Sequence, residues 1–422
     1  MPDSELIPRA NAIAADLFRR EGARIVATLA AHLGAHRLQL AEDAVQEALV
    51  RALQTWPYRG IPENPAAWLS QAAKNVALDS LRREHIWQRK EVQITAEQER
   101  WLARNEPAEE PSITDDTLRM LFVCFHPQLS IEAQLALALR TVCGLSPAEI
   151  GAAFLTSEAA IAKRLVRARQ IIRDLRLPFA VPDASELPQR LDGALVALYL
   201  LFNEGYKASS GDRLIREDLC CEAIRLTRLL DAHPATSQPA TKALLALMCL
   251  NTARLQARVS PSGEIVQLHH QDRSQWDAVL IREGILALGE ASTGEQITPY
   301  HLEAGIAACH CLAADEAGTD WTRILGLYDQ LLLLKPTPVV AMNRTVVLAR
   351  LHGFRAALDA LETIRHSLEA HHLYHAIHAS FIAKLGQPAE ARAAYQRAAE
   401  LAPCDAERDF LRDKAGNVSE NV

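Results

Sequence analysis

The chain is expected to be all-α, and three observations point there. Its 422 residues are 49% hydrophobic but only 5% aromatic, and Ala, Leu, Arg and Glu are abundant, which favours helix over a β-rich fold. Apolar residues recur at helical spacing, as with Ala44, Val45, Ala48, Leu49 and Leu53 in AEDAVQEALVRAL. Helix-start signals also recur: Asn64-Pro65, and Ser146-Pro147 followed by Glu149, pair an N-cap side chain with a first helical residue that has no N–H to satisfy. A charged content of 23% is that of an ordinary globular chain. Length predicts two or three domains. No apolar run reaches about 18 residues, so no membrane span is expected. Met1-Pro2-Asp3-Ser4-Glu5 lacks the basic start of a secretory signal, so the expected location is cytoplasmic.

Three blocks follow in order. The first, residues 1–93, holds the helix of Ala41 to Leu53 and then Pro57 to Pro65, where three prolines forbid a continuous helix. Asn64 caps the next helix, Pro65 to about Gln88. Trp68, Leu69, Ala72, Val76 and Leu81 turn inward there, while Lys74, Asn75, Asp79, Arg82 and Arg83 project elsewhere. Residues 94–116 carry Glu97, Glu99, Glu106, Glu109, Glu110, Asp115 and Asp116 with Pro107 and Pro111, the composition of a solvated linker.

The second block, 117–177, begins with helices at Leu118–Phe125 and Ile131–Val142. Ser146, Pro147 and Glu149 then open a short helix ending near Phe154, and Ser157 caps another whose buried stripe is Ile161, Leu165, Ala168 and Ile172. A short capped helix, a tight turn and a second helix is the helix-turn-helix pattern. From 163 to 176 that second helix and its extension carry Lys163, Arg164, Arg167, Arg169, Arg173 and Arg176 against one Asp174, a charge suited to the phosphates around a major groove. The net charge of −7 hides this block. Residues 117–177 carry +4, against −5 in the linker and −7 beyond residue 177, so the average does not exclude a nucleic-acid partner.

The third block, 186–416, reads as wholly helical. Gly386, Ala391, Tyr395, Ala398 and Pro403 lie at the offsets of the small and aromatic positions of a tetratricopeptide repeat, with Gly353 and Gly318 one and two periods earlier. Stacked helix pairs of that kind form a concave surface that docks a protein or peptide. The eight cysteines form no CxxC pair. In Cys309-His310-Cys311 the two sulfurs point about 200° apart around a helix, which rules against one shared metal. The cysteines are expected to be structural, and neither a cofactor nor a metal site is expected.

Asp43-Ala44-Val45-Gln46-Glu47-Ala48, Pro65-Ala66-Ala67-Trp68-Leu69 and Ala72 to Arg83 resemble region 2 of sigma-70 family factors of the extracytoplasmic-function branch. Gly144 to Ile150 and Ala159 to Arg169 resemble region 4 of the same branch. Tyr199 to Tyr206, Asp218 to Leu226 and Gln271 to Asp277 are similar to the group of these factors with a long tetratricopeptide-like C-terminal extension.

The resemblance implies a promoter-specificity subunit that does no covalent chemistry. Its partners would be core RNA polymerase, through the β′ clamp helices and the β flap, and promoter DNA, with a protein or peptide ligand for the extension. Asp43, Gln46 and Glu47 would meet the clamp helices. Asn64, Trp68, Lys74, Asn75, Asp79, Arg82 and Arg83 would face the −10 element, although Trp68 also reads as core. Glu158, Ala159, Lys163, Arg164 and Arg167 would read the −35 element. The alternative is an enzyme with its active site in the helical tail, drawing on Asn203, Glu204, Tyr206, His269, His270, Asp272, Arg273 and Asp277. No HExxH, P-loop or GxSxG motif accompanies that set, and polar residues bracing helices explain it as well.

Overall fold

The computed structural model describes residues 6–88, 115–154, 156–177, 179, 182, 186–208, 214–260 and 264–418. The fold is all-α. Among the described residues the one extended pairing is an isolated antiparallel bridge between Val259 and Ile265. Two compact units divide the chain, residues 1–197 and 198–422. The expected linker falls almost entirely on residues 89–114, outside the described set.

In the first unit, α1 (Leu6–Leu33), α2 (Leu38–Arg59) and α3 (Pro65–Gln88) pack on one another. Then follow α4 (Asp116–Cys124), α5 (Ile131–Thr141), α6 (Pro147–Ala153), α7 (Glu158–Leu175) and the start of α8 (Leu187–Tyr206). α1 also packs on α4, and α7 packs on α5, α6 and the 3₁₀ turn Ala35–Arg37. Trp56, Phe122, Phe125, Leu137, Leu139 and Ile150 are almost fully buried in this unit. The caps follow the sequence signals. Ala67 N donates to Asn64 Oδ1 at 3.0 Å. Ser146 and Glu149 close a reciprocal capping box, and Ser157 Oγ accepts from Ala160 N at 3.2 Å.

The prolines after Trp56 require one correction. Pro57 does not end α2, which runs on to Arg59. In the last turn a proline forgoes a single helical hydrogen bond. The stop comes instead at Gly60, whose φ of 86° only glycine adopts without strain. Leu53 also departs from expectation. It sits at core spacing but is exposed.

In the second unit, α9 (Glu217–Ala232) and α10 (Pro239–Thr252) lead into an irregular segment with three 3₁₀ turns. Then come α11 (Ala278–Ala291), α12 (Pro299–Leu312), α13 (Trp321–Leu334), α14 (Pro338–Glu362), the short α15 (Arg365–Leu368), α16 (His372–Lys384), α17 (Pro388–Leu401) and α18 (Asp405–Gly416). Most of the long helices pack chiefly on their neighbours in sequence, as in a helical array, while α12 packs chiefly on α10. Gly353 at φ 85° breaks α14 into two arms, and Gly386 at φ 79° turns α16 into α17. The repeat spacing therefore marks turns. Ala357, Ala391 and Ala398 are fully buried where helices approach closely. Lys207, just after α8, pairs with Glu407 of α18 at 2.9 Å, so the last helix returns to the beginning of its unit.

All eight cysteines are free thiols. Cys221 is exposed and Cys309 and Cys311 are half-buried, while Cys124, Cys143, Cys220, Cys249 and Cys404 are buried.

Candidate nucleic-acid interface

Helical periodicity sorts the side chains of α2. Ala41, Ala44, Val45, Ala48 and Ala52 are buried, which turns Asp43, Gln46 and Glu47 to solvent together. Gln39 Nε2 donates to Asp43 Oδ1 at 2.8 Å, and Arg51 Nε donates to Glu47 Oε1 at 3.1 Å. The same face continues through Val50 and Leu53 to Tyr58, which is 71% exposed. These apolar residues extend the acidic patch into an amphipathic stripe. The sequence signal was available in their spacing from Glu47, but apolar spacing alone reads as core.

On α3, Asn64, Asn75, Asp79, Arg82 and Arg83 are exposed. Asn75 Oδ1 accepts from Gln71 Nε2 at 3.1 Å, Asp79 pairs with Arg82 at 3.3 Å, and Arg83 Nε donates to the Asp79 carbonyl at 3.2 Å. Lys74 is half-buried, off this line. Trp68 turns inward, with its ring edge-on to Trp56 at 5.4 Å and 67°. Such a packed aromatic pair anchors α2 to α3.

The short helix α6 and the long helix α7 are joined by a four-residue connection, and close approach makes glycine necessary there. Thr156 N donates to Gly151 O at 2.8 Å, and a Cβ on Gly151 would lie 2.8 Å from Thr156 O. Gly151 was missed by the sequence reading. On α7, Ile161, Leu165, Ala168 and Ile172 are buried as expected. Glu158, Ala159, Lys163 and Arg167 are exposed, and Arg164 is half-buried. The charge of Arg164 reaches Glu132 of α5. The Glu132 carboxyl is held below its ordinary range mainly by its own backbone N–H, with help from Ser130 and the Arg164 charge. Val166, also missed, is 65% exposed among these cations.

Arg169 leaves the basic face. Its Nη2 donates to Glu42 Oε1 of α2 at 3.1 Å, and its Nε lies 2.7 Å from Glu42 Oε2. Thr141 Oγ1 donates to Glu42 Oε1 at 3.1 Å. The two charged side chains are only 13% and 10% exposed. Glu42 thus ties α2 to α5 and α7, across 99 and 127 residues of chain.

The residues weighed as a catalytic set in the second unit are engaged otherwise. Glu204 lies 3.7 Å from Arg216, and Tyr206 Oη accepts from Arg254 Nη2 at 3.2 Å. The His269 and His270 rings lie 4.0 Å apart. Asp272 caps a 3₁₀ turn through Ser274 N, and Asp277 caps α11 through Val279 N and Leu280 N. Arg273 Nη1 donates to the carbonyls of His310 and Ala313 at 2.7 and 2.6 Å, a cation on the C-terminal carbonyls of α12. Asn203 is exposed on α8. Among the described residues no group of three His, Cys, Asp or Glu side chains is arranged to hold a metal. No described helix is long and apolar enough to cross a membrane.

Residues 17–85 match the family model described as sigma-70 region 2, which spans the exposed faces of α2 and α3. Residues 190–292 match a family of unknown function, DUF6596. The chain is 39% identical over 382 residues to an uncharacterized protein of Rhizobium meliloti (strain 1021), with 89% of each chain covered. It belongs to the same family as that protein, carrying a sigma-70 region 2 domain followed by a DUF6596 domain. No solved structure matches it.

Proposed function

We propose that the chain is a sigma factor of the extracytoplasmic-function branch, which acts in the cytoplasm by binding core RNA polymerase and directing promoter-specific transcription initiation. The observation that carries this reading is the region 2 match over residues 17–85, which coincides with the two solvated polar faces of α2 and α3. The acidic face of Asp43, Gln46 and Glu47 meets the β′ clamp helices, where complementary charge favours encounter, and Val50 and Leu53 add apolar area to the contact. The exposed line Asn64, Asn75, Asp79, Arg82 and Arg83 faces the −10 element, with Lys74 at its margin and Trp68 as its structural support.

Helices α6 and α7 form the helix-turn-helix, a region 4 equivalent that also reaches the β flap. Glu158, Ala159, Lys163 and Arg167 read the −35 element, and Arg164 contributes from the edge of that face. Residues 94–116 link the two DNA-reading parts. The C-terminal block, 186–416, is a tetratricopeptide-like regulator that docks a protein or peptide.

Purified chain mixed with core polymerase tests the first step. Asp43→Arg with Glu47→Arg is expected to lose co-purification while circular dichroism stays helical. Undiminished co-purification contradicts the assignment of that face.

A further inference from the structure

Three arginines in the second unit are drawn out of water without a carboxylate. Arg258 stacks on Tyr206, with its Cζ 3.8 Å from the ring centroid, and its Nη1 donates to the Tyr206 carbonyl at 2.6 Å. Arg254 donates to the hydroxyl of the same tyrosine and lies over Trp276 at 5.9 Å. Arg273 lies over that indole too, at 4.9 Å. The order Arg258, Tyr206, Arg254, Trp276, Arg273 is therefore a ladder of guanidinium groups alternating with aromatic rings.

The charges of Asp315 and Glu316 reach Arg273 and that of Glu407 reaches Arg258, but none of the three closes an ion pair there: Asp315 accepts from Gly318 N at 2.7 Å. Glu407 pairs with Lys207, Glu316 with Arg350, Glu303 with Lys335 and Glu204 with Arg216. Among the described residues, no carboxylate lies within ion-pair distance of Arg254, Arg258 or Arg273. Clustered cations removed from water need an opposite charge, because ring faces and carbonyls supply only part of the lost hydration.

A second observation is independent of charge. Buried polar atoms around the ladder lack a hydrogen-bond partner: Arg254 Nε, Trp276 Nε1 and His310 Nδ1, with Gln271 Oε1 and Thr252 Oγ1 beside them. Arg254, Trp276 and His310 are 8%, 6% and 9% exposed. Buried polar groups are normally satisfied, and one left open destabilises the fold. His310 belongs to this neighbourhood, since its carbonyl receives Arg273 and the charges of Arg254 and Arg273 both bear on its ring. Orphaned N–H donors beside excess positive charge form the complement of an oxyanion.

We propose that the second unit binds a small-molecule oxyanion, a phosphate or carboxylate group, on the Arg258–Arg254–Arg273 ladder. Arg254 is the central ligand, Trp276 Nε1–H is an added donor, and the guanidinium forks grip the oxygens. The ladder lies wholly inside the DUF6596 segment, 190–292, and the inference does not depend on the transcription reading.

Titration calorimetry of the full chain tests it, with inorganic phosphate in one arm and citrate in the other, at ionic strength fixed by sodium chloride. Saturable binding of at least one anion is expected, and the arm that responds tells phosphate from carboxylate. Arg254→Met should weaken that binding at least tenfold. Trp276→Phe, which keeps an aromatic face and removes the N–H, should weaken it severalfold. Arg397→Met, on an exposed surface pair with Glu400, should leave it unchanged. The proposal is overturned if neither anion binds saturably to the wild-type chain. It is equally overturned if Trp276→Phe and a folded Arg254→Met both bind like wild type.

Discussion

Among the described residues, two sets of cations have no carboxylate within ion-pair distance, and they mean different things. Lys163 and Arg167 stand exposed on α7, where water and salt screen them, so having no partner costs little. They are free to meet a polyanion, and that contact would weaken steeply with salt. Arg254, Arg258 and Arg273 lie against the rings of Tyr206 and Trp276 in the second unit, Arg254 almost fully buried. There the missing partner is an energetic problem that a ligand would solve. Arg169 makes a third case on the same helix as Lys163 and Arg167, its charge already neutralised by Glu42. Burial and pairing decide which cations are available, and the count of Lys and Arg does not.

The largest effect should come from reversing the acidic face of α2. Asp43→Arg with Glu47→Arg places like charges against a basic partner and should cost several kcal/mol, roughly a hundredfold or more in affinity for core polymerase. Pull-down with core enzyme measures it. Next, Glu42→Ala should destabilise the first unit by about 3 kcal/mol, since it leaves a buried Arg169 without its counter-charge. The urea midpoint measures that loss, and an unchanged midpoint would place Arg169 among the solvated cations.

A comparable effect should follow acidification of the second unit. Burial, and then the charges of Arg254 and Arg273, depress His310 to about 4. The folded state therefore holds the neutral ring. This stabilisation is complete above the unfolded value near 6.5 and is lost as pH falls from there through about 4, to the extent of about 3 kcal/mol. His371, depressed to about 4 by burial and by His372 and Lys207, acts in the same direction. Burial alone would raise Glu407, but hydrogen bonds and charge from His372 and Lys207 outweigh it and bring its carboxyl to about 2. Its contribution persists lower, disappearing between about 4.5 and 2. Urea unfolding at pH 7, 5.5 and 4.5 should show a falling midpoint, and His310→Gln should flatten part of the slope.

The smallest effects compare neighbours on α7. Arg167→Ala should weaken promoter binding by roughly 1–3 kcal/mol if it contacts a base. Arg164→Ala should cost less, because that side chain is half-buried at the edge of the exposed face. Arg169→Ala should lower stability more than it lowers the intrinsic affinity of the folded protein for DNA. Equal losses at all three positions, at matched salt, would erase the distinction between exposed and committed cations.

Local features were legible in the sequence. Asn64, Ser146 and Ser157 announce their caps because an N-cap depends on residues within one turn. The stripe Ile161, Leu165, Ala168 and Ile172 follows from helical period, and Gly353 and Gly386 mark turns through their spacing. Long-range partners were not legible. Nothing near Arg169 indicates Glu42, which lies 127 residues away, and nothing near Arg254 reveals that it shares Tyr206 with Arg258. Leu53 and Val166 show the limit of apolar spacing, which gives a residue's direction around a helix but not what covers it. Pro57 shows that a proline can sit inside the last turn of a helix without ending it, at the cost of its own hydrogen bond to the preceding turn.

The cut between the units also matters for experiments on the tail. Truncation after about residue 185 would remove α8, whose Gly193 sits so close to Phe125 that a Cβ there would collide with the ring. It would also remove Arg190, which donates to the Phe122 carbonyl at 3.3 Å. A truncated chain would thus lose packing from the first unit, and lost activity would not report on regulation alone.

The most direct test of the central claim is run-off transcription with purified core polymerase, the full chain and the DNA upstream of its own coding sequence. The proposed function predicts a discrete transcript that requires both proteins and is lost with Asp43→Arg/Glu47→Arg. Transcription no different from core enzyme alone, on that template and on a library of random promoters, would contradict it.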